Sequence, residues 1–360
     1  MCALPVPLIE LQGTPAEIGA AHGEALRDLV REHAERNLEW ILSASALRLD
    51  EAGLWKLWAP VLTANEAEAP ELVEEMRGIA RGAGVSFEHI FLLNSLLDVS
   101  NLRWPESLGS LVGCTTFALP NDPETGRAFI GQTYDLAAFR QRFNVLLEIT
   151  PADGPKQLVY SLAGMVGAAG LNEDGMGIVI NYLSANDCRP GKLHAVIVRK
   201  ALAGRNLADA VTAPTTGKRA GGSHYLISDA EGYLVSVETT ATKFALAYAD
   251  GKPFGHTNHY LTDRLEDSHT IRPTALGSSI ARYTTLRRLL QQETVTQATL
   301  HEIAGCHVSY PRSICAHGSP DEPADLRGLT IASVIMSLSE RTMQYCDGCP
   351  CNGEFETVTL

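Results

Sequence analysis

The chain has 360 residues and a formal net charge of -13; 45% of its residues are hydrophobic and 20% are charged. This composition is typical of a globular protein, and it lacks the clustered lysine and arginine that duplex nucleic acid or an anionic membrane surface requires. Eight cysteines over this length do not form a disulfide scaffold, and no apolar stretch approaches the roughly 20 residues of a membrane helix. We therefore expect a cytoplasmic protein with a small-molecule partner, no nucleic-acid or membrane partner, and possible oligomerisation.

The first third of the sequence has a helical pattern. Thr14 and Glu17 have the spacing of a capping box, and Pro15 suits the first turn of a helix. In chain order we predict a strand at 8–11 and helices at 14–42, 51–62, from 67 to the glycine break at 82–84, and at 86–97. The segment 101–110 has little periodicity, so we expect an exposed linker.

After this linker the periodicity changes to two. We predict a hairpin of strands 115–119 and 127–135 around a turn at 121–126. Further strands are predicted at 144–150, 157–162, 177–183, 224–228, 234–239, 330–337 and 341–345, and helices at 193–203, 207–212, 276–291 and 298–304. Runs of strands flanked by pairs of helices predict an α+β fold with helix, sheet, sheet and helix layers.

The bond between Gly113 and Cys114 lies where the periodicity changes. A nucleophile that opens a strand and follows a glycine is typical of enzymes that cut their own backbone. A lone cysteine at a strand start is more often a small buried hydrophobe. However, Asp135, Asn181 and Asn258 lie at the ends of later strands, where proteins usually display reacting groups.

Six ordered blocks of sequence carry a more specific signal. They are Gly-Cys-Thr-Thr at 113–116, Gly-Gln-Thr-Tyr-Asp at 131–135, Val-Ile-Asn-Tyr at 179–182, His-Thr-Asn-His at 256–259, Tyr-Pro-Arg-Ser-Ile-Cys at 310–315 and Arg-Gly-Leu-Thr at 327–330. Residues 12–19, 22–23 and 75–80 add to them in the helical third. Together these blocks resemble the acyl-coenzyme A:6-aminopenicillanic acid acyltransferase family of N-terminal nucleophile (Ntn) hydrolases.

The resemblance implies an Ntn-hydrolase αββα sandwich with a helical amino-terminal segment. It also implies a precursor that cuts itself between Gly113 and Cys114, so that 1–113 becomes a small chain and 114–360 the catalytic chain, which stay together. The freed α-amine, with a reference pKa near 8, would serve as the local base. We expect an amidohydrolase or acyltransferase that passes the acyl group of an amide, peptide or thioester through a Cys114 thioester, without a cofactor.

The matching blocks also imply roles for other residues. Asp135 matches a carboxylate that aligns the new amine, and Asn258 and Asn181 match amides that stabilise the oxyanion, a contact worth roughly 3 to 4 kcal/mol elsewhere. Arg327 matches an arginine close to the nucleophile, where it would lower the thiol pKa or hold a substrate carboxylate. The candidate substrate-binding residues are Tyr134, Thr240 and Arg312.

The sequence departs from the fungal enzyme of this family near these blocks. Val112 replaces an acidic residue before the cleavage glycine, Leu326 replaces a serine before the arginine, and Ala316 replaces an arginine. The acyl donor and acceptor therefore do not follow from the resemblance. An uncleaved, catalytically silent member that acts as a binding protein is the alternative.

The Cys-x-x-Cys-x-Cys motif at 346–351 also suggests metal binding. Three thiols could recruit a fourth from Cys306, Cys315 or Cys188 to form a zinc site. The histidines of 256–259 lack a third ligand at a recognisable spacing, so we interpret them as structural. We expect unpaired thiols and no metal site.

Overall fold

The structure is a computed structural model that describes residues 6–44, 48–98 and 113–360. The predicted linker at 101–110 and Val112 lie outside the described residues. The amino-terminal part contains β1 (Leu8–Gly13), α1 (Pro15–Ala25), α2 (Arg27–Ala44), α3 (Glu51–Glu68), α4 (Pro70–Ala83) and α5 (Phe87–Asn94). In the described residues no helix combines the length and apolarity that a membrane crossing needs.

The amino-terminal helices begin as predicted but divide differently. The Thr14 hydroxyl accepts a hydrogen bond from the Glu17 N–H, and the Glu17 carboxylate accepts one from the Thr14 N–H, so the capping box is confirmed. The single helix predicted at 14–42 is wrong, because the chain leaves the helical conformation at Leu26. The break allows α1 to pack along α4 while α2 packs on α5.

Residues 113–360 supply four α-helices and thirteen strands, which together with β1 form two sheets. In chain order the elements are β2 (Gly113–Leu119), β3 (Phe129–Ala137), β4 (Asn144–Pro151), β5 (Gln157–Leu162), β6 (Ala169–Asn172), β7 (Gly177–Leu183), α6 (His194–Leu202), α7 (Leu207–Thr215), β8 (Gly222–Ser228), β9 (Leu234–Thr239), β10 (Phe244–Tyr248), β11 (Phe254–His256), α8 (Pro273–Leu290), α9 (Gln297–Ala304), β12 (Gly328–Ser337), β13 (Thr342–Asp347) and β14 (Glu356–Thr359).

These strands form two sheets that face each other. Sheet I has the order β1-β4-β5-β6-β7-β8-β9-β10, and sheet II has the order β11-β2-β3-β12-β13-β14. Strands β2 and β3 of sheet II pack against β7 of sheet I. Helices α6 and α7 pack on sheet I, while α8 and α9 pack on sheet II. The predicted α+β fold with four layers is therefore confirmed.

Strand β2 lies inside this sandwich, and its seven residues are all buried. Because side chains alternate along a strand, Cys114 and Ala118 belong to the core between the sheets. Phe117 and Leu119 belong to a second core under α8 and α9. Cys114 thus opens a strand that is covered on both faces.

Candidate active site

Strand pairing determines which residues surround Cys114. On one side β3 pairs Gly113 with Asp135 and Cys114 with Tyr134. On the other side β11 pairs with β2 and ends at His256, so the chain that follows β11 passes beside Cys114. The two neighbouring strands bring three of the six sequence blocks together at one end of sheet II.

Asn258 lies in the segment that follows β11 and binds the nitrogen of Cys114. Its Oδ1 accepts a hydrogen bond from the Cys114 N–H at 2.9 Å. Its Nδ2 donates to the Tyr182 carbonyl at 3.0 Å, and its own N–H donates to Ser279 Oγ at 2.8 Å. This orientation makes Asn258 an acceptor for the α-nitrogen of Cys114. An oxyanion contact would need its second Nδ2 hydrogen and stays a prediction.

A second residue, which sequence reasoning missed, holds the other side of Cys114. Arg282 of α8 donates from Nη1 to the Cys114 carbonyl at 2.7 Å and to Thr115 Oγ1 at 3.0 Å, and from Nη2 to Asn258 Oδ1 at 2.8 Å. The side chain is buried, which lowers the pKa of the guanidinium, while the nearby Asp135 carboxyl opposes that shift. Arg282 therefore holds the main chain at Cys114.

Arg282 carried a signal that was available in the sequence. The buried residues of α8 are Ser279, Arg282, Leu286 and Leu290, which recur at helical spacing. A charged residue on the buried stripe of an amphipathic helix requires a partner, and such residues are frequently functional. The helix was predicted at 276–291, so its inward-facing arginine could have been named.

Asp135 lies against the proposed cleavage site. Its Oδ1 accepts a hydrogen bond from Thr330 Oγ1 at 2.7 Å. A Cβ at position 113 would stand 2.8 Å from Asp135 Oδ2, so a side chain there would displace the Asp135 carboxyl group. Burial raises the pKa of Asp135 to about 6, although Arg282 and Thr330 act in the opposite direction. The carboxyl group can thus change its charge close to neutral pH.

The thiol of Cys114 faces the core between the sheets and is 1% exposed. Burial and the Asp135 carboxyl raise its pKa to about 12, and Arg282 offsets only part of this effect. The Gln132 amide and the Tyr134 ring lie beside it. A thiol in this environment stays protonated at neutral pH, so its use as a nucleophile requires a base.

Two other predicted site residues, Asn181 and Thr240, make hydrogen bonds to residues other than Cys114. Asn181 Oδ1 accepts a hydrogen bond from Thr116 Oγ1 at 2.8 Å and lies 2.8 Å from His224 Nδ1. Asn181 therefore connects β7 of sheet I to β2 of sheet II, two residues along the strand from Cys114. Thr240 Oγ1 donates to Asp187 Oδ2 at 2.8 Å, in the loop beyond β9. The Thr240 hydroxyl thus stabilises that loop through Asp187.

Arg327 and Arg312 differ in their relation to the site. Arg327 donates from Nη2 to the Pro320 and Glu322 carbonyls at 3.3 and 3.5 Å, and the arginine that contacts Cys114 is Arg282. Arg312 lines a pocket together with Gly113, Asp135, Ser278, Arg282, Ser313, Ala316, Gly318, Glu322 and Gly328. The side chain of Arg312 is 41% exposed and lies 3.8 Å from a Glu322 oxygen, so it can reach a bound molecule.

His256, in the 256–259 block, forms a buried hydrogen-bonded pair with Glu238, which the sequence analysis did not identify. His256 Nδ1 lies 2.6 Å from the Thr257 carbonyl, and Nε2 lies 2.8 Å from Glu238 Oε1. Both ring nitrogens of His256 therefore have a polar partner within hydrogen-bond distance. Burial would raise the pKa of Glu238, but hydrogen bonds from His256 and Thr262 outweigh it and lower the pKa. His256 and Glu238 thus form a buried, hydrogen-bonded pair beneath the segment that carries Asn258.

Comparisons with known proteins agree with the sequence blocks. The sequence model of the family described as Acyl-coenzyme A:6-aminopenicillanic acid acyl-transferase matches residues 122–352. The acyl-coenzyme A:6-aminopenicillanic-acid-acyltransferase 40 kDa form of Emericella nidulans is 25% identical over 312 residues, which cover 85% of this chain and 84% of that protein.

Solved structures with a similar arrangement have low sequence identity. A Caenorhabditis elegans N-acylethanolamine-hydrolyzing acid amidase ortholog has a TM-score of 0.46 at 12% identity, covering 69% of this chain and 100% of that chain. The C2A mutant of conjugated bile acid hydrolase from Clostridium perfringens has a TM-score of 0.41 at 14% identity, covering 69% and 97%.

Proposed function

The chain belongs to the acyl-coenzyme A:6-aminopenicillanic acid acyltransferase family of Ntn hydrolases, and we propose that it cuts its own Gly113–Cys114 bond and then carries acyl groups on Cys114. One observation carries this proposal. The Cys114 N–H is bound by Asn258, the Cys114 carbonyl is bound by Arg282, and Asp135 lies against Gly113. The main chain of Cys114 is thereby held on both sides, at the N–H of the bond to be cut and at the carbonyl that follows.

In the first reaction Cys114 Sγ attacks the Gly113 carbonyl carbon. The bond from that carbon to the Cys114 nitrogen breaks, the proton lost by the Cys114 thiol is transferred to that nitrogen, which becomes an amine, and a thioester joins Gly113 to Sγ. Water then hydrolyses the thioester and restores the thiol. Residues 1–113 and 114–360 become the small and large chains. Gly113 suits this step because a side chain there would collide with Asp135.

In turnover the freed amine supplies the base that the buried thiol needs. A neutral α-amine has a reference pKa near 8 and lies on the same residue as the thiol. Asn258 Oδ1, which accepts the Cys114 N–H, keeps the nitrogen in place, and the fixed positive charge of Arg282 favours the neutral amine. The amine takes the thiol proton as Sγ attacks and returns it to the leaving group.

The acyl donor is an amide, peptide or thioester, and the acceptor is water or an amine. Asp135 holds the amine in line, and Asn258 and Asn181 are the candidate oxyanion amides. Arg312 and Tyr134 are the candidate donor-binding side chains. Arg312 lines the pocket that Gly113 and Asp135 also line, and Tyr134 pairs with Cys114 across β2 and β3. Hydrolysis is the simpler outcome, because an acyltransferase must keep water from the thioester while it admits an amine.

The test uses the purified full chain with p-nitrophenyl phenylacetate, with and without added hydroxylamine. We expect an acyl adduct on Cys114, release of phenylacetic acid in water, and phenylacetyl hydroxamate when hydroxylamine is present. Cys114→Ala should form no adduct. Cys188→Ala, which removes an exposed thiol, should behave like the unmodified protein. An adduct of equal yield in Cys114→Ala would overturn the assignment of the nucleophile.

A further inference from the structure

A cluster of histidine and cysteine side chains lies beside the pocket and takes no part in the proposed reaction. It contains His307, Cys315, His317 and Cys351, and one ligand atom from each lies within 4.8 Å of all the others. From this arrangement we infer a structural zinc site with two thiolate and two imidazole ligands.

The spacing of the ligand atoms matches a tetrahedron around one ion. Zinc binds sulfur at about 2.3 Å and nitrogen at about 2.0 Å, so tetrahedral ligands stand roughly 3.6 Å apart for sulfur to nitrogen and roughly 3.3 Å for nitrogen to nitrogen. His317 Nε2 lies 3.6 Å from Cys315 Sγ, 3.5 Å from Cys351 Sγ and 3.0 Å from His307 Nε2. These three distances from His317 Nε2 are close to those that a bound zinc ion would impose, and the remaining pairs of ligand atoms lie within 4.8 Å.

The ligand chemistry favours zinc over harder cations. Calcium and magnesium prefer oxygen ligands, whereas two sulfur and two nitrogen ligands in a tetrahedron are a common zinc set. Binding replaces the thiol protons of Cys315 and Cys351 and uses the neutral Nε2 atoms of His307 and His317. No step of the proposed reaction passes through this ion, so its role is to hold the structure.

A neighbouring thiol supports the orientation of one ligand. Cys349 Sγ lies 3.9 Å from His317 Nδ1, the ring nitrogen on the side away from the cluster, and it donates to the Ala316 and Thr330 carbonyls at 3.5 and 3.6 Å. Groups around the non-ligating nitrogen of a metal-binding histidine fix its ring orientation. The sequence analysis expected unpaired thiols because it did not consider His307 and His317 as ligands. Of the three cysteines in the 346–351 motif, only Cys351 belongs to the four proposed ligands.

The position of the cluster explains what the ion would stabilise. Cys315 and His317 flank Ala316, which lines the pocket. The Ala316 N–H donates to Thr330 Oγ1 at 2.8 Å, and Thr330 Oγ1 donates to Asp135 Oδ1 at 2.7 Å. A zinc ion would therefore tie the carboxyl-terminal segment at Cys351 to the pocket wall and hold that wall against Asp135.

The experiment measures metal content, which is independent of acyl chemistry. The full chain is reduced, treated with EDTA to remove bound metal, titrated with zinc chloride and desalted. Bound zinc is then measured by inductively coupled plasma mass spectrometry. We expect one zinc ion per chain, and cobalt in its place should give the visible absorption of a tetrahedral thiolate complex. Cys351→Ser and, separately, His307→Ala should retain less than about 0.1 equivalent. Cys188→Ser is the matched control and should retain one.

Thermal unfolding gives a second readout that separates ligand loss from misfolding. Zinc should raise the unfolding temperature of the unmodified protein and of Cys188→Ser but not of Cys351→Ser, which should still unfold cooperatively. Full zinc binding by Cys351→Ser or His307→Ala would overturn the proposal, as would the absence of zinc from the reduced, unmodified chain. Loss of acyl chemistry alone would bear only on the proposed function.

Discussion

At Cys114, the proposed nucleophile, one asparagine binds the main-chain N–H and one arginine binds the main-chain carbonyl. The Arg282 guanidinium is buried, and a buried charge is costly unless hydrogen bonds satisfy it. Its planar fork reaches the Cys114 carbonyl and Asn258 at the same time, which a lysine ammonium could not do with the same geometry. The sequence resemblance pointed to Arg327, because a short block of matching residues contains that arginine. Such blocks do not show that Arg282 approaches Cys114 from the buried face of α8.

The charge of Asp135 should govern the response to pH. Burial raises its pKa to about 6, so the carboxyl group is protonated and neutral below that pH and negative above it. A neutral Asp135 cannot hold an ammonium or amine in line. The rate of acyl turnover should therefore fall as the pH decreases through about 6, as measured by kcat/KM against pH.

The control for this dependence is Asp135→Asn, which keeps the size of the side chain. Since an amide does not titrate in this range, the variant should be slow at every pH and should lack the part of the acidic decline that is centred near pH 6. Circular dichroism should show the same secondary structure as the unmodified protein. An identical acidic limb in Asp135→Asn would mean that another group titrates.

Among the elements, α1 and α4 approach each other most closely through glycines. A Cβ at Gly23 would stand 2.3 Å from the Ile79 carbonyl oxygen, and one at Gly82 would stand 2.2 Å from the Ala20 carbonyl oxygen. A Cβ at Gly19 would stand 2.0 Å from the Glu75 carbonyl oxygen, and one at Gly78 would stand 2.6 Å from the Ala16 carbonyl oxygen. The two helices can pack at this distance only because none of these positions carries a side chain.

Gly23→Ala should therefore destabilise the protein even though alanine favours helices. The added methyl group would force the helices apart and lower the free energy of unfolding by about 2 kcal/mol. Gly277→Ala in α8 is the matched control, since nothing lies within 4 Å of its Cβ position. Replacing this helical glycine should leave stability unchanged or raise it by up to about 1 kcal/mol. Urea denaturation measures both, and equal effects would refute the packing argument.

Elements differ in how much of them the sequence could predict. The β2–β3 hairpin was predictable because two runs of alternating residues flank a turn at 121–126, where Gly126 has a φ of +70°. The short strand β11 was not predicted, because three residues are too few to show alternation. Yet β11 is the strand that brings Asn258 to Cys114, so this part of the site depends on pairing that periodicity does not reveal.

Across the whole molecule, the residues on either side of the proposed cleavage site are joined through sheet I and through buried polar contacts. Strand β1 pairs in parallel with β4. Glu75 of α4 forms a buried ion pair with Arg199 of α6 at 2.7 Å, and Gly164 donates its N–H to His22 of α1 at 3.0 Å. These contacts should keep the two chains together after cleavage.

Glu75→Gln tests the strength of this association. The substitution leaves the Arg199 charge buried without its partner, which should cost about 3 to 5 kcal/mol. Glu74→Gln, one residue earlier in α4, removes an exposed pair with Arg81 and should cost at most about 1 kcal/mol. Urea denaturation combined with size-exclusion chromatography would show both effects. Equal losses of stability in the two variants would contradict the proposed role of the buried pair.

The site as a whole combines residues that the sequence could name with residues that only the fold assembles. Cys114, Asp135 and Asn258 were identified from blocks with short motifs. Arg282 and the Glu238 support of His256 come from elements distant in sequence. The buried stripe of α8 marks Arg282 but not its contact with Cys114, and no local motif marks Glu238. The proposed zinc ligands show the same limit, since a cysteine motif at 346–351 does not reveal which histidines lie beside it.

Intact mass measured under denaturing conditions tests the central claim most directly, with the unmodified protein compared to Cys114→Ala. We expect the unmodified protein to give two chains, one ending at Gly113 and one beginning at Cys114, which elute together under native conditions. Cys114→Ala should give one folded chain of about the full 38.8 kDa. An active unmodified protein that remains a single chain, or cleavage of Cys114→Ala at the same bond, would contradict the account.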